Sequence, residues 1–402
     1  MVAGLAAGES VIMPDKMLEN AGINVVRDEV DQVDPKSRRV MTTGGKTFAY
    51  DKLYLAMGAS PFIPPIEGKD LKGVVALRGL SDAENIRAYM AEEKPRNIIF
   101  IGAGFISMEI ASLIAQHMPY NYNIKVIELM DRPLPLMLDK EMAELVQSYL
   151  EKKGIGVLTG KKVEKLTGQN GKIAAVELAS GEKFAADLVF MNVGVRPNGK
   201  LAMDMGLEMG QFGIKVNAYQ ETSDPHILAG GDCVEKINFI TQKPTPGQLR
   251  GPAVLQGRLA AKRLAGFDIP FPGVVDAGGC KMFDLTITAT GLTEERAAQE
   301  GIETICSVVD SRSKHNMIPG TQPWKIKLVF NKHNQELIGG QIVSRDVGPA
   351  REIDAVTAFI LGRKTIADLT TFTSACNPDI SSEPSAEPIT IAAEQALGRL
   401  RP

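Results

Sequence analysis

The chain has 402 residues, 44% of them hydrophobic, which is enough for two or three domains with substantial cores. Its net charge of −3 argues against a nucleic-acid or membrane surface as the main partner. No run is long and apolar enough to span a bilayer, the four cysteines form neither a CxxC nor a metal-ligand pair, and the four histidines are scattered, so no metal site is expected.

Along the chain, the opening MVAGLAAGESV is apolar but lacks the basic flank of a signal peptide, so a cytoplasmic location is the default expectation. RRVMTTGGKTFAYDKLYLA (38–56) reads as a β-rich core, and LSDAENIRAYMAEEKP (80–95) as an amphipathic helix crossing to a second domain. Asn97 to Ile101 is a short apolar, β-branched run, as a fully buried parallel strand requires. Gly102 and Gly104 follow at once, and then apolar residues at helical spacing, Ile106, Ile110, Leu113 and Ile114. The first glycine permits a tight turn and the second lets backbone approach a pyrophosphate. The helix N-terminus then offers unpaired N–H groups to phosphate. Ser107 stands where the motif has a third glycine for close packing. The next strand, 124–127, ends in Glu128, where a carboxylate accepts hydrogen bonds from the hydroxyls of an adenosine ribose. That charge repels a 2′-phosphate, so NADH is expected over NADPH, with Arg132 in LMDRP placed to soften the preference.

An internal repeat explains the residues in front of this turn. GGKTFAYDKLYLAMGASP (44–61) and SGEKFAADLVFMNVGVRP (180–197) align without a gap, with GINVV at 22 and GIGVL at 154 upstream. Gly102 lies about fifty residues ahead of the second copy's Gly154, so projection from Gly22 puts a first glycine loop before residue 1. Further on, TSDPHILAGGDCVE (222–235) is a strand ending in Gly230, Gly231 and Asp232, an acid placed to bind a sugar-like hydroxyl. FDIPFPGV (267–274) is a linker. Strand runs WKIKLVF and LIGGQIV and the helical AREIDAVTAFILG follow it.

In this order the motifs resemble the FAD- and NAD(P)-dependent pyridine nucleotide-disulfide oxidoreductases, in the branch of NADH oxidases, NADH peroxidases and coenzyme A-disulfide reductases. The resemblance implies an α/β fold of two Rossmann-like FAD/NAD(P)-binding domains, the first truncated at its N-terminus, with a C-terminal α+β dimerisation domain. Expected boundaries are 1–83 and 198–270 for the FAD domain, 84–197 for the NAD domain and 275–402 for dimerisation. It implies that Gly102, Gly104, Ser107 and Glu128 hold NADH and that Glu109 lies near the nicotinamide and flavin rings. Glu109 also fits an ordinary first-turn helix acid. It implies that Asp232 holds FAD, with Gly58 and Val30 on its adenosine side. Arg250 and Gly251 would precede the flavin-facing helix, 253–266. The expected reaction passes a hydride from NADH through flavin to a disulfide or persulfide, a peroxide or oxygen, in a homodimer.

Two departures stand out. The family's redox cysteine falls ahead of the residue aligned with Met1, and Met57 replaces a usual threonine. The family's aromatic segment near the partner's flavin corresponds to TSACNPDISSEPSAEP (373–388), which carries Cys376 and no tyrosine; Cys376 is expected to be a buried small apolar residue, with a redox thiol facing the partner subunit as the alternative, and Cys233 is expected to be packing. A catalytically incomplete NAD-binding remnant is therefore the alternative function. On that view the chain alone would bind FAD poorly, with 20–60 and 222–265 exposing core faces.

Overall fold

The run NIIFI forms strand β1 (Asn97–Ile101), with its last four side chains buried, in the computed structural model, which describes residues 2–6, 8–118 and 121–400. After it come α1 (Phe105–His117), β2 (Asn123–Ile127), α2 (Lys140–Lys152), β3 (Ile155–Leu158) and β4 (Leu188–Met191). The sheet order is Val74–Val75, β4, β1, β2, β3, and every pair is parallel. Direction along the order reverses between β1 and β4, and a crevice opens at the C-terminal ends of strands at such a point. Phe100 and Phe190 stack across this pair at 4.4 Å between centroids. A helix is present at Leu80–Glu93, inside the compact unit that includes Pro61–Gly194, and buries Ala83, Ile86 and Met90.

The C-terminal segment builds a second sheet from β5 (Gly278–Met282), β6 (Leu285–Gly291), β7 (Thr304–Arg312), β8 (Pro323–Asn331) and β9 (Leu337–Ser344), with α3 (Glu294–Gln299) after β6. Its order is β5-β6-β9-β8-β7, antiparallel throughout. The two sheets share one apolar core, in which Ile98, Phe100 and Ile114 belong with Met282, Ile287 and Val343. A polar cluster crosses the same seam. The Lys327 ammonium, 1% exposed, lies 3.0 Å from Asp139, 2.5 Å from Glu141 and 2.7 Å from Glu294. Gln341 reaches the same Asp139 carboxylate at 2.6 Å.

Pro61–Gly194 and Val275–Pro402, with Met1–Leu5, form one compact unit; Ala6–Ser60 and Val195–Val274 form another. The repeat is visible as structure. Val30–Asp34, Arg39–Thr42 and Thr47–Ala49 make an antiparallel sheet, and Val163–Gln169, Lys172–Leu178 and Lys183–Ala185 make its counterpart. Each is followed by a parallel-sheet strand, Leu53–Leu55 in one copy and β4 in the other. In the second unit Leu53–Leu55 pairs only with Ile227–Ala229 among the described residues. Ile23, Val26, Val30, Phe48, Val254 and Leu255 are exposed there, within the segments expected to show uncovered apolar faces. Among the described residues no helix is long and apolar enough to cross a membrane.

Candidate functional site

The glycine turn sits at the C-terminal end of β1. Gly102 has φ +93°, and a Cβ there would stand 2.7 Å from the Asn192 carbonyl oxygen at the end of β4, so only glycine closes this turn. Gly104 caps α1 with no side-chain hydrogen bond, and a Cβ on it would meet nothing within 4 Å. Open space therefore faces the first N–H groups of a 13-residue helix, which have no intrahelical partner. Ser107 is fully buried on the packed side of α1, and its hydroxyl has no hydrogen-bond partner.

Glu128 follows β2 and is 8% exposed. One carboxylate oxygen accepts the Ala103 N–H at 2.6 Å and the other accepts the Met130 N–H at 2.9 Å. The carboxylate thus grips the peptide between the two glycines while keeping lone pairs for ribose hydroxyls. An uncapped helix end, an open glycine and an acid at this corner fit a dinucleotide. Arg132, expected to soften the preference for NADH, is committed elsewhere. Its guanidinium donates to the Leu138 carbonyl at 2.9 Å, to Asp131 at 2.7 Å and to Glu295 of α3.

Glu109 is half-buried on α1, and its carboxylate accepts the Lys281 N–H of β5 at 3.2 Å. Burial raises its pKa, with the Lys281 N–H pulling the other way. The neighbouring Cys280 thiol is pushed up to about 12 by burial and by the Glu109 charge, so it stays protonated.

In the second unit, Gly230 and Gly231 place Asp232 in a single 3₁₀ turn after Ile227–Ala229. A Cβ on Gly230 would collide with the Tyr54 hydroxyl at 2.0 Å, and Gly231 at φ +80° donates its N–H to Gln256 at 2.9 Å. Lys236 carries no motif, yet it fixes this turn. It is 2% exposed and donates to the carbonyls of Gly231 at 2.7 Å and Pro246 at 3.2 Å. Only its place four residues after an acid in a glycine turn could have marked it. Gly58 takes φ +65°, and Val30 opens its strand exposed. Arg250 and Gly251 begin the helix Arg250–Leu264, which has no side-chain cap and no acid in its first turn. Its N-terminus is free to face negative charge, so Asp232 and this helix end fit a flavin.

Cys233 is fully buried with its thiol against the Gly230 carbonyl at 3.2 Å, a packing residue as expected. Cys376 is not the buried residue that was expected. It is exposed, because residues 372–377 run as irregular chain with no sheet or helix to cover it.

The family profile described as pyridine nucleotide-disulphide oxidoreductase matches residues 6–249, and that of the same family's dimerisation domain matches 278–387. The NADH oxidase of Methanocaldococcus jannaschii is 36% identical over 98% of this chain and 87% of its own. The NAD(P)H coenzyme A polysulfide/persulfide reductase of Pyrococcus horikoshii is 31% identical over 92% and 82%. The solved NAD-dependent persulfide reductase of A. fulgidus superposes with a TM-score of 0.92 at 32% identity, covering 99% of this chain and 75% of that one. Nothing in these similarities favours a non-catalytic remnant.

Proposed function

Because the chain belongs to the pyridine nucleotide-disulphide oxidoreductase family and is an NADH-dependent, FAD-containing oxidoreductase, we propose that it reduces a low-molecular-weight persulfide or disulfide. For a persulfide the balance is NADH + H⁺ + RSSH → NAD⁺ + RSH + H₂S. The observation that carries the nucleotide half is the Glu128 carboxylate, set beneath an open glycine and an uncapped helix end. Relatives above 30% identity, one named a coenzyme A polysulfide/persulfide reductase and one a CoA-dependent sulfur oxidoreductase, support the sulfur half.

Bound FAD supplies the two-electron relay between nicotinamide and acceptor. The chain's own residues bind and orient. Gly102 and Gly104 let the pyrophosphate approach the N-terminus of α1, Ser107 keeps that helix close to β1, and Glu128 holds the adenosine ribose. Glu109 borders the nicotinamide end. Asp232 holds the flavin's sugar-like chain, Gly58 and Val30 lie at its adenosine side, and the helix opened by Arg250 and Gly251 favours negative charge on the reduced ring. These assignments give residues 84–197 to NADH and residues 1–83 with 198–270 to FAD. Residues 275–402 give the contact of a homodimer. A cytoplasmic enzyme agrees with four free cysteines in the structure.

The acceptor is tested by anaerobic NADH consumption with coenzyme A persulfide or polysulfide, set beside NADH-dependent oxygen uptake. Turnover with the sulfur compound well above that with oxygen is expected. Oxygen uptake that sulfur compounds do not outpace would make the protein an oxidase, the reading that the M. jannaschii relative's name supports.

A further inference from the structure

Arg132 is nearly inaccessible, with its side chain 7% exposed, and its hydrogen bonds go to Leu138, Asp131 and Glu295 rather than to Gly102, Gly104, Ser107 or Glu128. Its bonds run into a turn that does. The Leu138 carbonyl accepts from the Arg132 Nε at 2.9 Å, and the Leu138 N–H donates back to the Leu134 carbonyl at 3.0 Å. Leu134 is 1% exposed and sits at φ +51°, a conformation that a branched side chain holds only when its surroundings over-determine it. Its N–H donates to the Ala103 carbonyl at 2.9 Å. Ala103 lies between the two glycines, and its N–H is already held by Glu128. The peptide that shapes the pyrophosphate turn is therefore gripped from both ends, by Glu128 and by Leu134. At the far end of the chain of bonds stands Glu295, at the start of α3 in the C-terminal segment.

We propose that Arg132 is a positioning residue for NADH. By tying the Leu134–Leu138 turn to Glu295 it fixes the Ala103 carbonyl, and the glycine turn keeps the shape that receives the pyrophosphate. The segment carrying the family's dimerisation domain thus helps to shape the nucleotide loop. The proposal rests on the NADH assignment above.

The test is calorimetric titration of NAD⁺ into the flavin-loaded enzyme and its Arg132→Met, Arg132→Lys and Glu295→Gln variants, with stopped-flow reduction by NADH beside it. Arg132→Met should weaken NAD⁺ binding about ten-fold and Glu295→Gln about three-fold. The limiting reduction rate at saturating NADH should hardly move, a split that mere loss of stability does not give. Arg132→Lys should recover part of the affinity, since an ammonium cannot bridge the Leu138 carbonyl and the Glu295 carboxylate as the planar guanidinium does. Wild-type affinity in Arg132→Met overturns the proposal. If that variant does not fold, Glu295→Gln decides alone, because it removes only the charge of a partly exposed side chain: weaker binding supports the proposal and unchanged binding overturns it. Absence of NAD⁺ binding in the wild type would instead sink the NADH assignment, and this proposal with it.

Discussion

Glu128 accepts the Ala103 N–H on one carboxylate oxygen, and its proposed second task is to hold the adenosine ribose. Replacing it with alanine should narrow the preference for NADH over NADPH by about ten-fold, the scale of one charge-assisted contact. Stopped-flow flavin reduction with both nucleotides measures it, and an unchanged ratio would remove Glu128 from the ribose site. Glu109 makes a pH-dependent contribution whose sign is fixed by its raised pKa. The fold favours the protonated form, so the stabilisation is full below the unfolded value of 4.5 and is lost as pH rises through the folded one. Glu109→Gln should flatten the dependence of the urea midpoint over that window; an identical slope in wild type and variant would contradict the burial. The glycines and Glu128 were legible because a strand–turn–helix spells them out locally. Lys236 was not, and Arg132 was legible only as a charge near Glu128, because the carbonyls that hold Lys236 and the Leu138 and Glu295 partners of Arg132 follow no spacing rule.

Among elements, the seam between α2, α3 and the strands β8 and β9 depends on Lys327. Burial works to lower its pKa, but the hydrogen bonds it donates to Glu141 and Glu294 and the Asp139 charge overcome that and hold the ammonium firmly protonated. Taking the cation away leaves Asp139, itself buried, with no counter-charge. Lys327→Met should therefore cost about 3–5 kcal/mol of stability, the usual penalty for one orphaned partner of a buried pair. Chemical denaturation reads this; a loss below about 1 kcal/mol would mean that Gln341 and the α3 N–H groups satisfy Asp139 unaided. The strands WKIKLVF and LIGGQIV were readable from their apolar runs, and the structure extends them to Pro323–Asn331 and Leu337–Ser344. Their order was not readable. The pairing of β6 with β9 is set by contacts far apart in sequence, and nothing in either run specifies it.

At the scale of the molecule, the repeat was the most informative signal. It announced two nucleotide-binding segments of one build, and the paired antiparallel sheets at 30–49 and 163–185 bear that out. The C-terminal segment matches the family's dimerisation domain, and Val347, Leu361 and Ile380 remain exposed on it. A match to the family's dimerisation domain suits a two-fold interface. Light scattering should give twice the 43.3 kDa of one chain, and the mass of a single chain would contradict the homodimer. Passage of electrons from NADH to a bound flavin is the reaction on which every role above depends. Anaerobic titration of the FAD-supplied protein with NADH, followed in the visible flavin band, tests it most directly. The band should bleach stoichiometrically with NADH and much more slowly with NADPH. A flavin band that persists at saturating NADH would contradict the account.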